Sequence, residues 1–416
     1  MAALDRKRLR RALWIFAAAA VVRGLWTFAD SAGPAEIRGD ATFFYQSARN
    51  LIEKHSFADD AGYRALRLPL YPGFLAALFL LAGPSVAAIQ ASQSLLGAAT
   101  CAAIYLGATG WLAEEASLFA GWTAVFYYGL IFPCGRVLSE CFYSFWLALL
   151  FAAWFLRRER WTAVSAAALY LTRPEGILAG AALAALGPLR DKDWRRGNSW
   201  LIVGALAAAM AGWGLRNKAV LGHFTPGTTG AGFSFWAALP RTMSAKLAAH
   251  PELARPPASL SEEEHDRYFW RGGMDQLKSA PPLLVLKTAA FNLIGAYYPF
   301  LPRYELTYGL ILPLWLFAFW SLRDRRELWP AFLLIAAWSA LYVVFGGQDA
   351  RFRQLMAPLL IWLAAGALEK LRGRLSRPVF TRAAGAWVSF NILVFIFSPY
   401  VRAAALATRD WIWAIR

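Results

Sequence analysis

Acidic residues are scarce in this chain. Its 416 residues hold 26 Asp and Glu against 43 Lys and Arg, and charged residues of both signs make up only 17%. So thin a charged surface excludes the two or three soluble domains that length alone would suggest. Cysteine is scarcer still: Cys101, Cys134 and Cys141 show no metal-ligand spacing. Cys134 and Cys141 flank one short segment, so a disulfide fits their spacing, although two separate reduced thiols are the simpler reading. The four histidines, His55, His223, His250 and His265, never fall at the close helical spacing of a metal pair. No P-loop and no dinucleotide-binding glycine pattern occurs.

What is present is apolar. Hydrophobic residues make up 58% of the chain, which reads as an all-α polytopic membrane protein of about eleven transmembrane helices, one membrane domain over 1–416. Twenty Trp and 15 Tyr suit two interfacial aromatic belts. The net charge of +17 invites a nucleic-acid partner. Its placement argues against one, because the basic clusters sit in short loops between apolar runs, as the positive-inside rule requires.

The basic N-terminus and the apolar run to Phe28 resemble a signal peptide. The run is long and contains Arg23, so it reads as an uncleaved first helix with a cytoplasmic N-terminus. The first periplasmic loop, 30–86, follows. Its part from Asp30 to Arg67 holds five basic and six acidic residues and lacks the inside bias. Phe44, Ala48, Leu51 and Ile52 recur in it at helical spacing and predict a helix lying on the membrane. Leu70–Gly83 is short and reads as juxtamembrane. Spans are expected near Ala87–Gly110, Leu118–Pro133 and Glu140–Leu156. A tight hairpin follows over Trp161–Leu189, with its tip at Thr172–Gly176 where Pro174 breaks the helix. A second large periplasmic loop covers 216–303 and includes an acidic helical stretch, Ser259–Phe269. Leu283–Phe300 reads as interfacial or re-entrant, and 400–416 as an interfacial tail.

Candidate site residues gather on the non-cytoplasmic side. Asp40, just before the amphipathic run, is either a helix cap or a general base. Arg64 and Arg67 either snorkel at the interface or hold a phosphate in a guanidinium fork. Arg216, Arg351 and Arg353 carry the same two readings. Five arginines on the side where few are expected point to an anion to be neutralised there. Glu140 opens a helix, where the macrodipole favours an acid, or contacts an acceptor or metal. Arg173 and Glu175 pair with each other or help to close the site. Arg23 is an intramembrane charge, functional by default or snorkelling.

Six segments, in order, resemble the bacterial membrane glycosyltransferases of the GT-C fold (ArnT-like, protein-mannosyltransferase-like and Rgt-type families). These are GDATFFYQSARNLIE, RLPLYPGFLAALFLLAG, LSECFYSFW, LTRPEGIL, GWGLRNKAVLGHFTPGTTGAGFSFW and ARFRQLMAPLLIWLAAGAL. The resemblance implies a GT-C-like bundle and inverting transfer of a sugar from a polyprenyl-phosphate donor at the periplasmic face of a bacterial inner membrane. The acceptor would be a lipid (lipopolysaccharide among them), a glycan or a protein. By the same resemblance Asp40 is the catalytic acid of the first loop. Arg67, Arg216, Arg351 and Arg353 face the donor phosphate, and Tyr45, Arg64, Tyr71, Glu140, Arg173 and Glu175 line the site. Ala41 stands where protein mannosyltransferases often carry a second acid, and Leu68, not a basic residue, directly precedes Pro69. The sub-family and the sugar therefore stay open. The sequence requires no cofactor, and a divalent ion is compatible with it. A transporter or lipid flippase is the competing reading, which would place charges at the bilayer midplane.

Overall fold

The computed structural model describes residues 5–30, 37–191, 198–239, 257, 260–300, 304–345 and 351–414. Within them every regular element is helical. The chain opens with a long apolar helix, α1 (Arg6–Ala29), started by Asp5, whose carboxylate accepts from the Lys7 N–H at 3.2 Å. It then makes α2 (Asp40–Glu53), α3 (Leu70–Ala82), α4 (Val86–Ala108), α5 (Glu114–Phe126), a short α6 (Tyr128–Ile131) and α7 (Ser139–Phe155). The hairpin α8 (Glu159–Thr172) and α9 (Gly176–Asp191) follows, then α10 (Asn198–Leu221), the short α11 (Ala231–Ala237) and α12 (Glu262–Ser279). The last part is α13 (Pro282–Tyr297), α14 (Leu306–Ser321), α15 (Trp329–Phe345), α16 (Arg351–Leu355), α17 (Ala357–Arg374), α18 (Arg377–Ile396) and α19 (Ser398–Ala414).

Among the described residues, five helices are individually long and apolar enough to cross a membrane: α1, α4, α10, the segment Arg326–Phe345 and α18. A sixth forms if the bent pair Glu114–Phe126 and Tyr128–Gly135 counts as one span. Five shorter apolar helices, including α7, α13 and α14, pack among them. The core is centred on α4 and α7, which pack on each other and on α1, α5 and α8. Trp154, Trp338 and Trp362 are its largest fully buried side chains. Residues Ala357–Ala367 of α17 are buried all round, as expected of a helix enclosed by others. In contrast, α18 buries only Asn391 and presents its apolar side chains outward.

The expected span Leu118–Pro133 is not one straight helix. It breaks after Phe126, where Tyr127 turns extended (ψ 111°), and the two halves meet at 63°. Arg23 accounts for the break. Its guanidinium, fully buried, donates to the carbonyls of Ala124 (3.1 Å) and Val125 (3.3 Å). Those carbonyls end α5 and lack helical partners, and a buried cation is a suitable partner for them. Arg23 therefore does not snorkel. Cys134 and Cys141 lie beside it as free thiols, with sulfurs 3.6 Å apart.

The other expected helices are present with shifts of a few residues at their ends. The amphipathic α2 buries Phe43, Phe44, Ser47 and Ala48. Its outer face carries Arg49 and Glu53, 3.7 Å apart. The acidic stretch becomes α12, opened by a reciprocal capping box between Ser261 and Glu264. Leu283–Phe300 is mostly the helix α13, packed on α15. Residues 346–350, 301–303 and most of 240–259 lie outside the described residues.

Candidate active site

The site is built where three separate turns meet at one end of the bundle. The first is the start of α2. Gly39 holds the cap position with φ 57°, a left-handed conformation that suits glycine, and a Cβ there would meet nothing within 4 Å. Gly39, not Asp40, is therefore the cap, and Asp40 is the first helical residue. Its carboxylate points to the second turn, where Arg67 Nη2 donates to Oδ1 at 2.6 Å.

Arg67 is held from the far side. A Cβ on Gly230 would lie 2.9 Å from Arg67 Nη1, so the second outer loop packs closely on this guanidinium because residue 230 has no side chain. Glu262 locks the same two loops together. Its carboxylate accepts from the backbone N–H groups of Arg64 (2.7 Å) and Ala65 (2.9 Å) and from the Thr229 hydroxyl.

The third turn is the tip between α8 and α9. Arg173 is extended (φ −150°, ψ 138°) just before Pro174, the conformation that a following proline imposes. Its guanidinium reaches Glu175 Oε1 (2.8 Å), Ser139 Oγ (3.2 Å) and Glu140 Oε1 (3.7 Å). Glu140 is buried at the start of α7, and its second carboxylate oxygen has no protein partner. Burial works against the charge of Arg173, but Glu175 and then Glu140 outweigh it and hold the group firmly protonated.

These turns share one electrostatic field. Burial pushes the Asp40 carboxyl up, and the Arg67 guanidinium, with further help from Arg173 and Arg351, more than reverses this and holds it below the ordinary carboxylate range. The carboxylate still keeps 37% of its side-chain surface open. An accessible anion is thus paired with Arg67, and Arg173 at the hairpin tip and Arg351 at the start of α16 add smaller contributions to its field.

The remaining expected residues are placed differently. Arg216 gives its donors to the carbonyls of Arg64 (2.7 Å) and Phe57 (3.1 Å), and lies over the rings of Trp213 and Phe57. Arg353 is wholly buried. It pairs with Glu305, donates to the Tyr298 carbonyl at 2.7 Å and lies 3.7 Å over the Tyr308 ring. Arg353 is thus an internal clamp, whereas Arg216 is half-buried and pins two backbone carbonyls. Arg64 meets the Val220 carbonyl at 3.5 Å. The hydroxyl of Tyr45 donates to Pro84 O (2.7 Å), and that of Tyr71 to Gln93 Oε1 (2.9 Å); both rings prop α2 and α3. Glu262 and Glu305 were not singled out by sequence. Glu262 opens a capping-box stretch, and Glu305 is a lone acid next to an apolar run; those are the signals that point to them.

Among the described residues no group of three or more His, Cys, Asp or Glu gathers as a metal-ligand set. Of the site's acids, Asp40 and Glu140 face guanidinium groups, whereas Glu262 accepts from backbone N–H groups and a hydroxyl.

No protein-family model and no curated protein sequence matches the chain. Solved structures do match it. The oligosaccharyltransferase AglB of Archaeoglobus fulgidus, in complex with an inhibitory peptide and a dolichol-phosphate, superposes with TM-score 0.53 at 13% identity, covering 95% of this chain and 55% of that one. The A. fulgidus oligosaccharyltransferase tethered to an acceptor peptide with the NVT sequon gives TM-score 0.55 at 14% identity, with 97% and 55% covered. The same enzyme with Zn and sulfate gives 0.53 at 15% identity, with 93% and 51% covered. The present chain spans about half the length of these proteins. At such identities the likeness establishes the fold. This is an all-α, multi-pass membrane protein with the GT-C fold.

Proposed function

We propose that the chain is an inverting glycosyltransferase that moves a sugar from a polyprenyl-phosphate donor to a lipid, glycan or protein acceptor, at the membrane face opposite its basic loops. The observation that carries this is the ionised, partly open Asp40 within the field of Arg67, Arg173 and Arg351. The fold supports it, since structural neighbours include an oligosaccharyltransferase in complex with a dolichol-phosphate.

The chemistry follows from the charges. An acceptor hydroxyl attacks the anomeric carbon from the face opposite the phosphate. The new C–O bond forms as the old sugar–phosphate bond breaks, which inverts the centre, and the bonding pair leaves with the polyprenyl phosphate. Negative charge grows on that phosphate, and Arg67, Arg173 and Arg351 supply preorganised donors to meet it. The acceptor proton passes to Asp40. A carboxylate of lowered pKa is a weak base in the ground state, so it takes the proton late, once the hydroxyl has become acidic through bond formation. Arg216 and Arg353 act through the backbone: one anchors the Arg64–Arg67 turn, the other the turn before α14.

The decisive variant is Asp40→Asn, assayed in detergent with a panel of polyprenyl-phosphate sugars. Transfer should fall by roughly 10²–10⁴-fold while binding of polyprenyl phosphate persists. Undiminished transfer by the variant would refute the assignment.

A further inference from the structure

The ion pair between Asp40 and Arg67 is made differently from its neighbours. Arg67 gives one nitrogen, Nη2, to one carboxylate oxygen, Oδ1 at 2.6 Å. Its other bond, from Nη1 to the Leu66 carbonyl at 3.2 Å, stays within its own turn. Arg49, also in the first loop, instead reaches both oxygens of Asp60, at 2.9 and 2.8 Å, and Arg353 is fully buried against Glu305. The Asp40–Arg67 pair has a single point of contact, and it leaves 29% of the Arg67 side chain and 37% of the Asp40 side chain open. A one-point, part-open pair lacks the extra hold that a fork gives.

The backbone behind this guanidinium is fixed, so a change of partner falls to the side chain. Glu262 accepts from the N–H groups of Arg64 and Ala65, the Thr229 N–H donates to the Ala65 carbonyl at 3.1 Å, and Arg216 donates to the Arg64 carbonyl at 2.7 Å. On the loop side Nη1 abuts Gly230. The Nε–H makes no bond within the described chain. In a guanidinium, Nη2 belongs both to the fork it forms with Nη1 and to the fork it forms with Nε. An anion that grips Arg67 through either fork therefore meets the Asp40 carboxylate at the same nitrogen, and two negative charges closing on one cation repel each other. Asp40 keeps its place without Arg67, because it is the first residue of α2 and the free N–H groups of that helix end attract its charge.

We propose that Asp40 and the donor phosphate compete for Arg67, so that arrival of the polyprenyl-phosphate donor breaks the resting ion pair and frees Asp40 to act as base. This rests on the sugar-transfer reading above. The pair is then a lock on the base. An acceptor that arrives first finds the carboxylate tied to Arg67, and the site reacts only in the order donor, then acceptor. Burial pushes the Asp40 carboxyl up, and Arg67 is the strongest of the cations that hold it low. Once Arg67 has turned to the phosphate, the carboxylate is a stronger base at the moment a proton must be taken.

A double-mutant cycle read by binding tests this. The purified full chain, in uncharged detergent, is titrated with dihydrofarnesyl methyl phosphate, a phosphodiester that carries one negative charge at neutral pH and no transferable sugar. Asp40→Asn should bind it about tenfold tighter than wild type, because the competing anion is gone. In an Arg67→Gln background the same change should gain only about threefold or less, because the contested cation is absent. Asp40→Ser repeats the cycle with a second neutral side chain, and melting midpoints check that each variant is folded. Unchanged or weaker binding by both neutral variants, or an equal gain with and without Arg67, would overturn the proposal. Sugar transfer is followed in parallel. Undiminished transfer by Asp40→Asn sinks the sugar-transfer reading itself, whereas lost transfer with unchanged affinity sinks only the competition for Arg67.

Discussion

Arginines at the two ends of this molecule keep different company. At the Asp40 end they meet partners remote in sequence: Arg67 reaches back 27 residues to Asp40, Arg173 reaches 34 residues to Ser139, and Arg216 reaches 152 residues to a carbonyl. At the basic end many pairs are local and exposed, such as Arg325 with Glu327 and Arg323 with the next residue. Remote pairs there stay at least partly open to solvent: Arg372 and Glu115 are both more than half exposed, and Arg11 and Glu114 about a third. Charge number alone therefore says little. A cation becomes a candidate for function when distant segments converge on it and water is partly withdrawn, because only then does its field persist over several ångströms.

The comparison can be broken in order of expected effect. Arg353→Met leaves Glu305 buried and unpaired, and should cost about 3–5 kcal/mol. A fall in the melting midpoint checks this, and adding Glu305→Gln should restore part of the loss; a midpoint equal to wild type would show that the pair is not a clamp. Arg173→Gln removes a cation from the phosphate field and leaves Glu140 and Glu175 facing one another. Turnover should drop by about 3 kcal/mol of barrier, on the order of 10²-fold, and the melting midpoint should fall as well, because two largely buried carboxylates lose their shared partner.

Arg67 sharpens the comparison through pH. The folded pKa of Asp40 is depressed, so the stability this carboxylate contributes is present above its unfolded value and is lost as pH falls through the lower folded value. Activity should hold down to mildly acidic pH on this account. In Arg67→Gln, burial acts with less opposition and raises the Asp40 pKa. The acid limb of the pH–rate profile should then move to higher pH; an unmoved limb would disconnect the pair from turnover. At the basic end, Arg372→Ala removes an exposed contact with Glu115 and should change stability by no more than about 1 kcal/mol.

Much of the architecture was legible in sequence because it rests on local periodicity. The spacing of Phe44, Ala48, Leu51 and Ile52 reads directly as α2, and Arg-Pro-Glu reads as the tip between α8 and α9. Asp40 was visible as an acid just before an amphipathic run, and the structure sets it against Arg67. Long-range partners were not legible. No local signal announces that Arg23 ends α5 about a hundred residues later, so a broken helix read as one span. Arg216 and Arg353 looked like Arg67 by side and residue type. Only tertiary contacts distinguish a guanidinium turned to backbone carbonyls or to Glu305 from one turned to Asp40.

The grip of Arg23 on the two carbonyls at the end of α5 has a consequence for biogenesis. Alone in lipid, α1 would leave its cation with the Ala19 carbonyl of its own helix and without the two carbonyls of α5. The first segment is thus poorly suited to leave the insertion machinery by itself, and it gains a stable resting place only when the nascent chain has grown past Val125. The two ends of this first half are thereby tied to one another, since the carbonyls of α5 complete the solvation of a cation that α1 carries.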